Sequence, residues 1–226
     1  MMLKIPGVLG AEQLRQCRQI LEQASWHDGR ATAGPVAGKV KNNLQLALDD
    51  PAQQRLADFL LDVLGRNAAF IAATLPLRVL PPRFNRYEGG GDYGEHIDNA
   101  IFTVPGSQQR VRSDISSTLL LSEPEEYDGG ELVVHDSFGT HSVKLAAGDM
   151  VIYPGTSLHH VTPVTRGTRY AAFFWTQSLV REDSRRAILW ELDNAIQQVA
   201  QAMPEHAAVP RLTGVYHNLI REWADT

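Results

Sequence analysis

Cys17 is the single cysteine among 226 residues. A disulfide within the chain is thereby excluded, and a reducing compartment, the cytoplasm, is the expected home. Long apolar runs are missing too. Nothing approaches the ~20 apolar residues of a membrane-spanning helix. Residues 1–10 are interrupted by Lys4, Pro6 and Gly7, so they lack the unbroken apolar stretch of a secretory signal. Positive charge is in short supply: 21 Lys and Arg stand against 26 Asp and Glu. That balance leaves no basic footprint for nucleic acid. Neither nucleic acid nor a membrane is an expected partner. No internal repeat or low-complexity tract is present. The length is enough to bury a core without disulfide or metal staples.

The apolar periodicity changes along the chain. Residues 11–25 read as an amphipathic helix, with Leu14, Cys17, Ile20 and Leu21 on one stripe, which makes Cys17 a small core side chain. Residues 27–43 are rich in Gly, Ala and polar groups and read as a mobile loop and candidate lid. Asp50 and Pro51 mark a helix start, and Leu56, Phe59, Leu60, Val63 and Leu64 form its apolar face. The middle then breaks into short strand-like runs at 77–80, 83–87, 114–121, 131–134, 141–145, 149–153, 159–162 and 170–175. Glycine turns separate them, among them Gly89-Gly-Gly91 and Asp128-Gly-Gly130. Helical spacing returns after residue 179, in Ile188, Leu189, Leu192, Ile196 and Val199, and again from Leu212 to Trp223. The expected fold is mainly β with flanking helices (α+β): a closed or double-sheet antiparallel β core. Its expected divisions are an N-terminal helical region at 1–76, a β core at 77–178 and a C-terminal helical extension at 179–226.

Chemistry enters at His96-Ile-Asp98. Side chains at i and i+2 of an extended segment point the same way, so this pair can share one metal ion. His159 follows inside Pro154-Gly-Thr-Ser-Leu-His-His-Val161, and Arg169 comes ten residues later. Two imidazoles and a carboxylate grip one face of an octahedral Fe(II) and leave the other open. Arg169, Ala171, Phe173 and Trp175 share one strand face. If Arg169 points inward, the small Ala171 leaves room for a ligand beside it. Adjacent His159 and His160 face opposite ways, so only one can serve the same ion. The other points outward or supports the ligands from outside. His135 and His141 read as a polar pair across a hairpin. Residues 99–113 read as a second flexible segment that could cover the site.

Tyr87, then Tyr93-Gly-Glu-His96-Ile-Asp98, Tyr127-Asp-Gly-Gly-Glu-Leu132, Gly148-Asp149 and Leu158-His159-x-Val161-x-Pro163 through Gly167-x-Arg169 occur in this order. The set resembles the Fe(II)/2-oxoglutarate dioxygenases, and within them the bacterial PKHD-type hydroxylases, relatives of prolyl 4-hydroxylase that include proteins called iron-uptake factors. The resemblance implies a double-stranded β-helix (jelly roll) core. It implies His96, Asp98 and His159 as Fe(II) ligands, since the pattern Leu-His-x-Val selects His159. It implies Arg169 as the partner of the far carboxylate of 2-oxoglutarate, and Tyr87 as a wall of the cosubstrate pocket. Where prolyl hydroxylases often carry lysine, this chain has arginine, a planar two-pronged donor. The implied activity couples oxidative decarboxylation of 2-oxoglutarate with O₂, giving succinate and CO₂, to C–H oxidation of a small-molecule or peptidyl substrate. L-ascorbate is the implied reductant, and the group's naming suggests a link to iron uptake or homeostasis. Two alternatives stand beside it: a non-catalytic iron/2-oxoglutarate sensor, and a cupin-like metalloenzyme that does not use 2-oxoglutarate. A homo-oligomer is expected on general grounds.

Overall fold

The structure, a computed structural model, describes residues 1–226 except Pro35, Pro105, Ser137, Phe138 and Thr226. The N-terminal third runs β1 (Leu3–Ile5), α1 (Ala11–Gln23), β2 (Trp26–Asp28), 3₁₀ turns at Gly29–Thr32 and Ala37–Val40, β3 (Lys41–Asn42), β4 (Leu44–Leu46), α2 (Pro51–Arg66) and α3 (Ala68–Thr74). The middle carries β5 (Pro76–Val79), β6 (Arg83–Glu88), β7 (Asp92–His96), β8 (Ile101–Thr103), β9 (Arg110–Arg112) and β10 (Ile115–Leu120). Then come β11 (Tyr127–Gly129), β12 (Leu132–Asp136), β13 (Gly139–Val143), β14 (Met150–Pro154), β15 (His159–Val161) and β16 (Val164–Ser178), before α4 (Asp183–Ala202) and α5 (Ala208–Trp223).

Among the described residues, the strands form a nine-stranded sheet along β1-β14-β10-β16-β6-β4-β2, with β11 and β5 also on β16. A five-stranded sheet runs β13-β12-β15-β7-β3, and β8 and β9 make a separate hairpin. Strand alternation decides which core each residue enters. In β14, Met150 and Ile152 pack with the N-terminal helices, while Val151 and Tyr153 face the smaller sheet. In β16, Tyr170, Ala172 and Phe174 join the helical side. The two sheets thus close over a second, smaller core, and helices cover the outside of the larger one. This is the expected jelly roll.

The helices follow from local signals. Asp50 Oδ1 accepts the Ala52 N–H at 2.7 Å, and Pro51 fills the first helical position. Leu56, Leu60 and Leu64 repeat at i+4 and are buried. Each such burial contributes ~1.5–3 kcal/mol. Cys17 is buried on the inner stripe of α1, where desolvation pushes its thiol up to about 11. At the other end, Leu189 of α4 packs with Leu75 and Val180, and Tyr216, Leu219, Ile220 and Trp223 of α5 close over them.

Three local readings need correction. Residues 27–43 are not a plain loop: β2 and β3 lie at or within this segment, β2 pairing with β4 and β3 with β7, so it is stitched to both sheets. Residues 99–113 contain the β8–β9 hairpin, whose Phe102 stacks on Trp175 at 4.0 Å. β16 begins at Val164, six residues before its sequence signal. Pairing with β11 and β6 recruits the polar stretch around Gly167, where φ is +71° and any Cβ would meet the Glu126 carbonyl.

Candidate active site

Two short strands bring the sequence-distant candidate ligands together. β7 ends at His96 and β15 opens at His159, and the register pairs these residues directly. Their rings lie 4.2 Å apart, centroid to centroid. Asp98 follows two residues after the strand end. Its Oδ1 is 4.0 Å from His96 Nε2 and its Oδ2 is 3.8 Å from His159 Nε2. One ligating atom from each of the three groups lies within 4.8 Å of the others.

The outer nitrogens set the ring orientation. His96 Nδ1 donates to the Gly94 carbonyl at 2.8 Å, and His159 Nδ1 to the Ser157 carbonyl at 3.0 Å. A proton on each Nδ1 leaves the Nε2 lone pair free, which is the form a metal ligand needs. Ser116 Oγ donates to Asp98 Oδ2 at 2.7 Å and orients the carboxylate. Burial, and then the like charge of His159, push the His96 imidazole down to about 4, so it is neutral at ordinary pH. Tyr93 stacks on His96 at 3.6 Å and Tyr153 meets His159 edge-on. The donor set, its protonation and its spacing therefore fit a divalent ion.

The three groups line a cleft between the two sheets that encloses about 770 Å³, part of it open to solvent. Tyr87 is buried in its wall. Arg169 is only 1% exposed and lies with its guanidinium carbon 5.3 Å from the centre of the Tyr87 ring. It is not among the residues that line the open cleft, and it packs against Tyr87, which is. Its Nε and Nη1 have no hydrogen-bond partner among the described residues. A buried cation with unused donors is costly unless an anion meets it. Gly130 at φ +66° permits this placement, since a Cβ there would stand 2.9 Å from Arg169 Cδ.

His160 points to the opposite face of the smaller sheet, with Glu95 and His135. His135 Nε2 is 3.6 Å from Glu95 Oε1, and its Nδ1 meets Thr140 Oγ1 at 3.2 Å. His141 binds Asp136 at 2.9 Å. The expected His135–His141 pair is therefore absent: the hairpin register sets His135 opposite Thr140 and His141 opposite Val134.

Sequence reasoning missed most of the cleft wall. Lys41, Asn43 and Gln45 form one row, and Arg83, Asn85 and Tyr87 another, each at spacing two. The signal was available as alternation, but glycine-rich surroundings masked the first row. Phe102, Phe173 and Trp175 supply an aromatic side.

Residues 82–177 match the model of the 2OG-Fe(II) oxygenase superfamily, and residues 183–225 match the PKHD-type hydroxylase C-terminal domain. A PKHD-type hydroxylase of Parvibaculum lavamentivorans is 64% identical over 226 residues, covering 100% of both chains. The PKHD-type hydroxylase PiuC of Pseudomonas aeruginosa is 54% identical over 225 residues, again covering 100% of each. Among solved structures, a prolyl hydroxylase from Trichoplax adhaerens, solved with a hypoxia inducible factor peptide fragment, superposes with TM-score 0.54 at 16% identity. That match covers 83% of this chain and 86% of the other. The carbocyclase SnoK of nogalamycin biosynthesis gives TM-score 0.56 at 17% identity, covering 79% and 80%. At such identities these structures support the fold alone. The chain belongs to the PKHD-type hydroxylases of the 2OG-Fe(II) oxygenase superfamily. It is a 2-oxoglutarate-dependent non-haem iron dioxygenase.

Proposed function

We propose that this enzyme hydroxylates a C–H bond of a small-molecule or peptidyl substrate, with Fe(II) held by His96, Asp98 and His159 and the far carboxylate of 2-oxoglutarate held by Arg169 beside Tyr87. The observation that carries this reading is the convergence of three ligating atoms within 4.8 Å, beside a buried arginine with unused donors. Iron, 2-oxoglutarate and O₂ together supply oxidative decarboxylation to succinate and CO₂, coupled to C–H oxidation; the protein supplies binding and orientation. Gly94 and Ser157 carbonyls hold the imidazoles in the ligating tautomer, and Ser116 holds the carboxylate. Arg169 orients the cosubstrate with a fork of donors. Tyr93, Tyr153 and Leu132 narrow the space around the ligands and exclude water.

The same reading includes L-ascorbate as the reductant that keeps the site ferrous, and a place in iron uptake or homeostasis. It takes the protein as cytoplasmic, free of nucleic-acid partners and homo-oligomeric. It divides the chain into an N-terminal region at 1–76, whose helices cover the core and whose short strands join its sheets, the oxygenase core at 77–178 and a helical extension at 179–226. No helix among the described residues is long and apolar enough to cross a membrane.

The test is metal stoichiometry with turnover. Asp98→Ala should lose both iron binding and succinate formation from 2-oxoglutarate, while circular dichroism stays native. Full iron occupancy in a folded Asp98→Ala protein would refute the ligand set.

A further inference from the structure

Charge accounting over the cleft and the adjoining Arg169 leaves two cations over. A ferrous ion with the Asp98 carboxylate carries one net positive charge, Arg169 adds a second, and the two carboxylates of 2-oxoglutarate cancel both. Lys41 and Arg83 remain. Both line the cleft, and neither has a carboxylate within ion-pair distance among the described residues. Lys41 is 6% exposed; its Nζ donates to Thr32 Oγ1 at 3.1 Å and lies 5.2 Å from the Tyr93 ring centre. Burial, with repulsion from Arg83 as the next cause, pushes its ammonium down to about 8. Two like charges kept in a desolvated wall are unfavourable in the empty protein. A buried lysine and a half-buried arginine without a carboxylate partner favour an incoming anion.

Neutral amides accompany them. Asn43, Gln45 and Asn85 are each under a tenth exposed and line the same cleft. Gln45 Nε2 and Asn85 Oδ1 have no partner among the described residues, and Asn43 lies within hydrogen-bonding reach of Tyr87. Gln45 Oε1 accepts from Thr32 Oγ1, which leaves its amide N–H groups free. These amides stand on the two rows that begin with Lys41 and Arg83, so charge and neutral hydrogen-bonding groups face one space. Beside it, Arg83 lies 5.6 Å from the ring centre of Trp175, which also stacks on Phe102. The wall thus changes from cationic and amide-rich to flat and aromatic.

We propose that the primary substrate is a small molecule bearing a carboxylate, received by Lys41 and Arg83, with its apolar body against Phe102 and Trp175. The inference rests on the proposed assignment of Arg169 to the cosubstrate. Asn43, Gln45 and Asn85 complete the recognition by donating to the carboxylate or accepting from a neighbouring N–H. The segment around residues 27–45 is then a specificity wall, which explains why it is anchored to both sheets.

Phenylacetate and phenylacetamide are nearly isosteric and differ by one negative charge. Each is titrated into the full chain loaded with Fe(II) and 2-oxoglutarate without O₂, with intrinsic tryptophan fluorescence or calorimetry as the readout. Phenylacetate should bind saturably and about tenfold or more tighter than phenylacetamide, since a hydrogen bond to a charged group is the stronger kind. Arg83→Gln and Lys41→Gln should each weaken phenylacetate by a similar factor and leave 2-oxoglutarate affinity within about twofold. Lys41→Met serves if the glutamine variant fails to fold. Equal affinity for the two probes, saturable binding by neither, or unchanged phenylacetate affinity in the variants overturns the proposal. Failure of the underlying reading shows separately, as an Arg169→Met variant that binds 2-oxoglutarate as tightly as the parent.

Discussion

Arg169→Met separates a functional cation from a structural one, because the two roles give opposite signs. The side chain is 1% exposed, and two of its donor atoms lack partners among the described residues. Methionine is uncharged and flexible and follows the inner part of the arginine stem, so it removes the burial penalty at the cost of a small void. In the ligand-free state the substitution should be neutral or stabilising. For a chain of this size each kcal/mol moves the thermal midpoint by roughly 2–4 °C, so the midpoint should stay level or rise. Cosubstrate binding moves the other way. A charge-assisted hydrogen bond contributes ~1.5–3 kcal/mol, which is a roughly 10- to 150-fold loss of 2-oxoglutarate affinity. Arg169→Lys keeps the charge, loses the fork and should fall between. The assays are calorimetric titration of 2-oxoglutarate into the Mn(II)-loaded protein and thermal denaturation without cosubstrate. A midpoint several degrees lower with unchanged 2-oxoglutarate affinity would show that Arg169 is a packing residue, and the cosubstrate assignment would fall.

Two further outcomes are expected. Ser116→Ala removes the hydroxyl that holds Asp98 Oδ2 at 2.7 Å and should weaken metal affinity roughly 10- to 100-fold with the fold intact, as measured by competition with a chromogenic chelator; an unchanged affinity would remove Ser116 from the site. The Lys41 ammonium titrates near 8 in the folded protein against 10.5 in the open chain. Between those values the unfolded chain binds more protons, so the stability of the ligand-free protein should rise with pH across that window. Lys41→Met should flatten the rise, and urea midpoints from pH 7.5 to 10.5 that vary alike in both proteins would contradict the burial of that charge.

Local signals carried much of the fold. Asp50-Pro51 announced α2, the Leu56, Leu60, Leu64 stripe announced its buried face, and the run at 149–153 announced β14. These features depend on neighbours within a few residues, so they are visible in one dimension. The strand β7 was not legible, although it delivers His96. It is held by pairing with β15 and β3, residues far away in the chain, and not by its own Asp-Tyr-Gly-Glu-His composition. Residues 27–43 misled for the same reason: a polar, glycine-rich composition reads as loop until a partner strand takes up its backbone groups.

Residue identity and order by themselves determined the kind of chemistry: two imidazoles, one carboxylate and a guanidinium, spaced so that strands separate them. Only the tertiary structure decided that His96 and His159 meet across a strand pair, that His160 looks outward, and that Lys41 and Arg83 enter the cleft. The reason lies in β geometry. A side chain's face follows from the register of its strand, and a shift of one residue would exchange the inner and outer sets. Register is a property of long-range pairing between two closed sheets, and no stretch of sequence specifies it alone.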